Sequence, residues 1–251
     1  GGSLGYAAGP LIAVGLVGWV GLDGLWIAML PMLVIAPIVW RILPPDRPEP
    51  GRAPPPGARA VLRALRGPLG VVFGISAVSA FVQRVYLTMQ PIAAAAAGAT
   101  EASGAVALSV YLGAQALGGL TGGTLADRMD RRTLLAWTSA LSFPAHALAL
   151  GLPVGSPGML AAAVVAGFLN MMILPPIVVI AQEIMPAGAA VGAGVVMGLA
   201  WAAGSILMLG TGLLGDVLGA RDAALVSVPL SLAAAALALH PALRPYRRAA
   251  Y

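Results

Sequence analysis

Residues 133–182 read TLLAWTSALSFPAHALALGLPVGSPGMLAAAVVAGFLNMMILPPIVVIAQ, without a single Asp, Glu, Lys or Arg. A helix on the surface of a soluble domain needs a polar face, and this run supplies none. Only the Gly/Pro cluster from Gly151 to Gly158 interrupts it. The run therefore folds back on itself as two apolar rods, each near the ~20 residues that cross hydrocarbon. The rest of the chain repeats this pattern. Charges and turn residues divide it into stretches near 2–20, 24–42, 69–92, 104–125, 133–151, 158–181, 189–213 and 223–240. The tight Gly21-Leu22-Asp23-Gly24 joins the first two. The expected fold class is all-α: a polytopic membrane protein of eight transmembrane helices. A closed β-barrel is the other structure that lipid permits, but its segments are about ten residues long and alternate in hydropathy.

Composition points the same way. The 251 residues are 59% hydrophobic and 9% charged, against about 25% charged in soluble domains. So apolar a chain cannot cover a water-facing surface, and the partner it implies is a lipid bilayer. Cysteine is absent, which excludes disulfides, thiol catalysis and Cys-ligated metals. No cofactor is expected. The first residue is Gly1, and residues 1–20 carry no basic segment of the kind that opens a signal peptide. The expectation is a start inside a membrane helix.

All 14 basic residues other than His are arginines. Arg41, Arg47, Arg52, Arg59, Arg63 and Arg66 cluster around one loop; Arg128, Arg131 and Arg132 follow two helices later; Arg244, Arg247 and Arg248 end the chain. Those 12 of 14 fall on one side of an eight-helix count, with Arg221 in the opposite loops. The positive-inside rule makes the Arg-rich side cytoplasmic, placing the 44–68 loop and the C-terminus there. Short loops between apolar runs suit a membrane surface and not nucleic acid. Pro-rich residues 44–57 form a linker, and Arg59, Arg63 and Arg66 behind it recur at helical spacing while Val61, Leu62 and Leu65 face elsewhere. That pattern fits a short interfacial helix or a basic loop. Three units result: 1–43, 44–68 and 69–251.

Three motifs carry a family resemblance. Gly123-Thr124-Leu125-Ala126-Asp127-Arg128-Met129-Asp130-Arg131-Arg132 resembles the G-x-L-x-D-R-x-x-R-R loop of the major facilitator superfamily, with Asp130 where that family often has Gly. Gly5-Tyr6-Ala7-Ala8-Gly9-Pro10 resembles the G-x-x-x-G-P antiporter signature of drug-efflux members. Gln182-Glu183-Ile184-Met185-Pro186, then the Gly-rich stretch from Gly192 to Gly204, looks like the tenth and eleventh helices of fosmidomycin-resistance-type exporters. The resemblance implies helices five to twelve of a twelve-helix fold, with the first four helices as a missing partner. Units 1–43 and 69–251 would then be the last two helices of the amino-terminal half and the whole carboxy-terminal half. It also implies a small-molecule substrate between the halves, protons as coupling ion, and gating through Gly123, Asp127, Arg128, Arg131, Arg132 and Glu183.

The residues themselves support part of this. Gly118, Gly119, Gly122 and Gly123 form two small-xxx-small pairs that admit a close neighbour helix. Asp127 stands at a helix end, where it can meet a neighbouring helix N-terminus or an Arg. Glu183 can pair with Arg131 or Arg132. Gly5 and Gly9 share a face, and Pro10 kinks its helix. Arg84 is the one charge inside an apolar span, where a central charge costs at least ~2.5 kcal/mol. Gln83, Tyr86, Thr88 and Gln90 surround it. It either meets an anionic or polar substrate or snorkels to the interface. Gln115 and Asn170 either line a cavity or bond neighbouring helices. His146 reads as packing in preference to proton handling, Trp201 as packing in preference to a cavity wall, and Pro175-Pro176 as a kink that could serve as a rocking hinge. No H-E-x-x-H or G-x-G-D motif is present, and the expected class is a transporter, not an enzyme. Efflux, uptake by the same fold, and a non-transporting fragment all remain open at this stage.

Overall fold

The computed structural model describes residues 2–44 and 56–246. Arg47 and Arg52, most of the Pro-rich linker, and Arg247 and Arg248 lie outside the described residues. Within them the chain is helical, with no strand. Helix α1 is Gly2–Val20; a 3-10 stretch, Leu22–Met29, leads into α2, Leu30–Ile42. Then come α3 (Ala58–Leu65), α4 (Pro68–Ala96), α5 (Glu101–Arg128) and α6 (Arg131–Gly151). Helices α7 (Pro157–Met172) and α8 (Leu174–Ile184) are one rod broken at Ile173. After α9 (Ala189–Gly194), a π-helical segment at Val195–Leu199 runs into α10 (Ala200–Leu218). The chain finishes with α11 (Ala220–Ser227), α12 (Ser231–Ala238) and a 3-10 tail, Pro241–Tyr246.

Local chemistry explains the starts. Thr100 caps α5 by accepting from Ser103 N, and Ser156 caps α7 by accepting from Met159 N at 3.2 Å, with Pro157 at the first helical position. Asp130 caps α6, accepting from Arg132 N at 2.8 Å and Thr133 N at 3.2 Å. The sharp reversals at Gly21 (φ 72°) and Gly219 (φ 84°) need the left-handed backbone that glycine adopts without strain. Pro175 and Pro176 bring no N–H to the break at Ile173.

Among the described residues, seven helical rods are long and apolar enough to cross a membrane: Leu22–Ile42, Pro68–Ala96, Glu101–Arg128, Arg131–Gly151, Pro157–Ile184, Pro186–Leu218 and Ala220–Ala238. The segment Gly5–Val20 is a shorter apolar helix. The outer surface is as apolar as the core. No residue of α2 is buried, and Leu33, Ile35, Ile38 and Ile42 are all exposed. Trp19 and Trp26 flank the Gly21 turn, Trp40 sits beside Arg41, and all three indoles are exposed, as in the aromatic belts of membrane interfaces. The molecule is an all-α bundle with a membrane-type surface.

Close crossings knit the bundle. A Cβ on Gly118 would overlap the Phe168 carbonyl, one on Gly122 the Met172 carbonyl, and one on Gly167 the Tyr111 carbonyl. Helices α5 and α7 thus touch backbone to backbone, the close approach that small-residue spacing permits. Gly119 and Gly123 meet only side chains, of Met171 and Pro175. Gly204 does the same for α10 against α4, where a Cβ would lie 2.6 Å from Ala77 O. The core between these helices holds Ile75, Phe81, Val85, Tyr86, Tyr111 and Ile177.

The Arg-rich segments gather at one end of the bundle. Arg131 Nη1 bonds Glu183 Oε1 at 2.8 Å, joining the start of α6 to the end of α8. Arg132 Nε donates to Ala238 O at 3.3 Å and its Nη2 to Leu239 O, closing the end of α12. Pro56, just before α3, lies against Gly188, a few residues beyond Glu183. Helix α3 forms, with Arg59, Arg63 and Arg66 exposed and Val61 and Leu65 against the core; Leu62 instead faces out. Arg221 sits at the opposite end, donating to Leu150 O and Gly151 O.

Candidate functional site

Polar residues recur along one face of α4 at steps of three and four: Ser76, Ser79, Gln83, Tyr86 and Gln90. That spacing stacks them on a single stripe, and all but the half-buried Ser79 are buried. Fourteen residues of helix at ~1.5 Å each make a polar track about 20 Å long. In hydrocarbon such groups need internal partners.

The amides supply them to one another. Gln83 Nε2 donates to Gln115 Oε1 at 3.0 Å, Gln115 Nε2 to Asn170 Oδ1 at 3.2 Å, and Asn170 Nδ2 to Ser79 O at 3.1 Å. This circuit leaves α4, visits α5 and α7, and returns to α4. The last acceptor fixes the direction of the whole chain. Ser79 O is a carbonyl and can only accept, so Asn170 must turn its NH2 there and its oxygen to Gln115. Gln115 then turns its oxygen to Gln83. Gln83 Oε1 is left at the free end, with no hydrogen bond to another described residue.

One turn further along, Tyr86 and Tyr111 stack with centroids 4.3 Å apart. Tyr111 Oη lies 3.1 Å from His146 Nε2, and His146 Nδ1 lies 2.8 Å from Ser142 O. The Ser142 carbonyl again only accepts, so Nδ1 carries the imidazole proton and Nε2 accepts from the tyrosine. His146 is wholly buried in this contact. Tyr86 Oη and both amide atoms of Gln90 are buried without a hydrogen-bond partner among the described residues.

A cleft opens beside the amide circuit. Ser76, Ser79, Gln83, Asn170, Leu174 and Trp201 line it, and its volume of about 20 Å³ has room for one water. Two backbone irregularities border it. Ile173, at the break between α7 and α8, lines the wall. Ser76 Oγ donates at 2.6 Å to the carbonyl of Val196, inside the π segment. Trp201, expected to be packing, is half-buried and forms one wall of the cleft.

The other expected site residues fall in distinct places. Arg84 stands one residue off the stripe, half-buried, with no hydrogen bond or ion pair among the described residues. Gln83, Gln115 and Asn170 bond across helices, and Tyr86 is fully buried against Tyr111. Buried amides and rings in so apolar a bundle satisfy themselves first. Glu183 pairs with Arg131, which is 2% exposed and also reaches Ala126 O at 3.4 Å. Asp127 is exposed and makes no ion pair or side-chain hydrogen bond among the described residues. Gly122 and Ala126 turn inward, which turns Asp127 out, and Asp130 takes the capping role on α6. Arg128 is exposed, and Gly123 lies within reach of Pro175. A Cβ on Gly5 or Gly9 would meet nothing within 4 Å; Pro10 lines a groove of about 330 Å³ with Val14, Pro91, Ala94 and Glu101.

The sequence reading missed the cleft and the cap. The α4 stripe was legible as five polar residues at helical spacing. Asp130 was legible as an Asp two residues before an apolar-periodic run.

No protein-family model matches this chain, and neither does any curated protein. The class is therefore defined by the fold alone: an all-α bundle with helices long and apolar enough to be membrane-embedded. Among the described residues no group of His, Asp and Glu could hold a metal ion.

Proposed function

We propose that the protein is a secondary active transporter of a small molecule. In this reading eight transmembrane helices correspond to helices five to twelve of a major-facilitator fold, and substrate passes by alternating access, with proton-coupled drug or metabolite efflux. The first four helices of that fold are the partner such a chain requires. The Arg-rich end, with the 44–68 loop and the C-terminus, faces the cytoplasm of a bacterial inner membrane. The observation that carries the reading is Arg84. A half-buried guanidinium without an ion pair among the described residues, inside a long apolar rod, is costly unless it serves a solute path. The polar stripe beside it and the Gly123–Arg132 signature add support. Coupling to protons is carried by the resemblance, not by a mid-span carboxylate.

The test is transport in vesicles under an imposed pH gradient, using the full-length protein. Efflux that collapses when the gradient is dissipated supports the proposal. Gradient-independent uptake supports a facilitator of the same fold. Arg84→Ala, at unchanged expression, lowers transport in either case. Unaltered transport by that variant assigns Arg84 to snorkelling and removes the carrying observation.

A further inference from the structure

The cleft beneath Trp201 has a recognition chemistry that can be read from its hydrogen-bond accounts. No charged residue lines it. The serine protons are spent, Ser76 Oγ on Val196 O and Ser79 Oγ on Ile75 O. Asn170 gives its oxygen to Gln115 and an N–H to Ser79 O. The polarity of the circuit leaves one amide acceptor uncommitted, Gln83 Oε1, on a residue that is 3% exposed and lines the cleft. Everything else there is apolar: Met171, Ile173, Leu174, Ile177 and the half-buried face of Trp201. A cavity of about 20 Å³ admits one functional group, not a whole ligand.

We propose that this cleft is a binding subsite for an uncharged, flat, unsaturated ring bearing one N–H or O–H donor. The donor enters the cleft and bonds Gln83 Oε1, while the ring lies on the indole of Trp201. An anion is excluded because no cation lines the walls. The π segment has a part in this. Ser76 holds the Val196 carbonyl, fixing the register in which α10 leaves the irregular turn and presents Trp201. As a substrate-class assignment the inference rests on the transport reading, but the binding itself does not.

The test uses two rings of the same size and shape, benzimidazole and benzoxazole, at mildly alkaline pH where both are neutral. Only the first has an N–H. Binding to the protein in lipid nanodiscs is read by equilibrium dialysis. Benzimidazole binds about tenfold tighter than benzoxazole, the worth of one well-buried hydrogen bond. Trp201→Ala weakens both by a similar factor and keeps their ratio. Gln83→Leu brings the ratio to about one; should that variant misfold, the two rings on the unaltered protein and on Trp201→Ala decide the matter. Equal binding of the two rings, or no saturable binding of either, overturns the proposal. The same vesicles separate it from the transport reading. Benzimidazole that binds but is never carried removes transport and leaves the subsite. Absence of saturable benzimidazole binding in protein that still carries a solute removes the subsite and leaves transport.

Discussion

Replacing Gln115 by Leu tests the amide circuit at its centre. Gln115 accepts from Gln83 at 3.0 Å and donates to Asn170 at 3.2 Å, and it is 5% exposed. Leu has nearly the same volume, so packing changes little. Two interhelical hydrogen bonds are lost, and such bonds in membrane proteins average ~0.6 kcal/mol each, setting a floor near 1 kcal/mol. The variant also strands Gln83 Nε2 and Asn170 Oδ1, and an unsatisfied buried group costs about 1–3 kcal/mol. Both residues border the cleft, where a water can relieve part of that cost. The expected loss is therefore about 2–3 kcal/mol, read as unfolding in mixed micelles of mild and denaturing detergent. Gln83→Leu in the same background provides the cycle. With both amides gone, the double variant loses less than the sum of the singles by at least ~0.5 kcal/mol. A Gln115→Leu protein within ~0.3 kcal/mol of the original, or strict additivity, would refute the circuit.

Three further variants probe the bundle. Gly122→Val drives a side chain into the Met172 carbonyl and should destabilise by about 3 kcal/mol or prevent assembly, while Gly119→Ala, facing only Met171 Cγ at 3.6 Å, is tolerated; yield of monodisperse protein and thermal unfolding distinguish them. Arg131→Ala strands Glu183 and frees Ala126 O; because the Glu183 side chain is 33% exposed, the loss is discounted to about 1–2 kcal/mol, with Glu183→Gln milder than Glu183→Ala in the same unfolding assay. Asp130→Ala removes the cap from α6 at a cost of about 1 kcal/mol, and Asp130→Asn restores most of it, as seen in chemical denaturation and in hydrogen exchange of the Arg132 and Thr133 amides.

The rods were legible because their cause is local. Residues 133–151 carry no Asp, Glu, Lys or Arg and are mostly apolar, and the helix that forms, Arg131–Gly151, differs at its start by the cap that Asp130 supplies. The Gly118/Gly122 pair was legible as a close-packing face, since spacing alone puts both on one side of α5. Its partner was not, because the choice of α7 depends on how separate helices meet. The site shows the same division. Gln83, Gln115 and Asn170 stood out as mid-span amides, yet nothing in their order said that they bond to one another in one direction. The orientation comes from Ser79 O, a backbone atom that no side-chain pattern announces. Asp127 misled for the opposite reason. Its neighbours Gly122 and Ala126 claim the inward face, and one residue of helical rotation sends it outward.

Two departures from ideal helix share a location, and that bears on what the bundle is for. In lipid an irregular backbone survives only where protein covers it or where it lines a cavity. Of four irregular rods, Leu22–Ile42 begins as a 3-10 stretch and Ala220–Ala238 passes through one at Val228–Leu230, while the other two break at Ile173 and at Val195–Leu199. Both reach the same small cleft: Ile173 in its wall, and Val196 through the bond its carbonyl takes from Ser76. Packing alone gives no reason for two breaks, on helices far apart in sequence, to meet beside the one polar stripe of α4. A site does, since broken helices free backbone groups and set side chains at angles that a straight rod cannot offer. The two ends argue the same way by contrast. Arg131 and Arg132 tie α6 to the ends of α5, α8 and α12, and Arg221 ties α11 to the other end of α6. The bundle is fastened at its ends and places two of its irregular segments beside Gln83 and Trp201. Removing the Ser76 hydroxyl, which leaves every end contact in place, should therefore alter binding at the cleft more than it alters global unfolding. The reverse ranking for Ser76→Ala would show that the π segment serves packing alone.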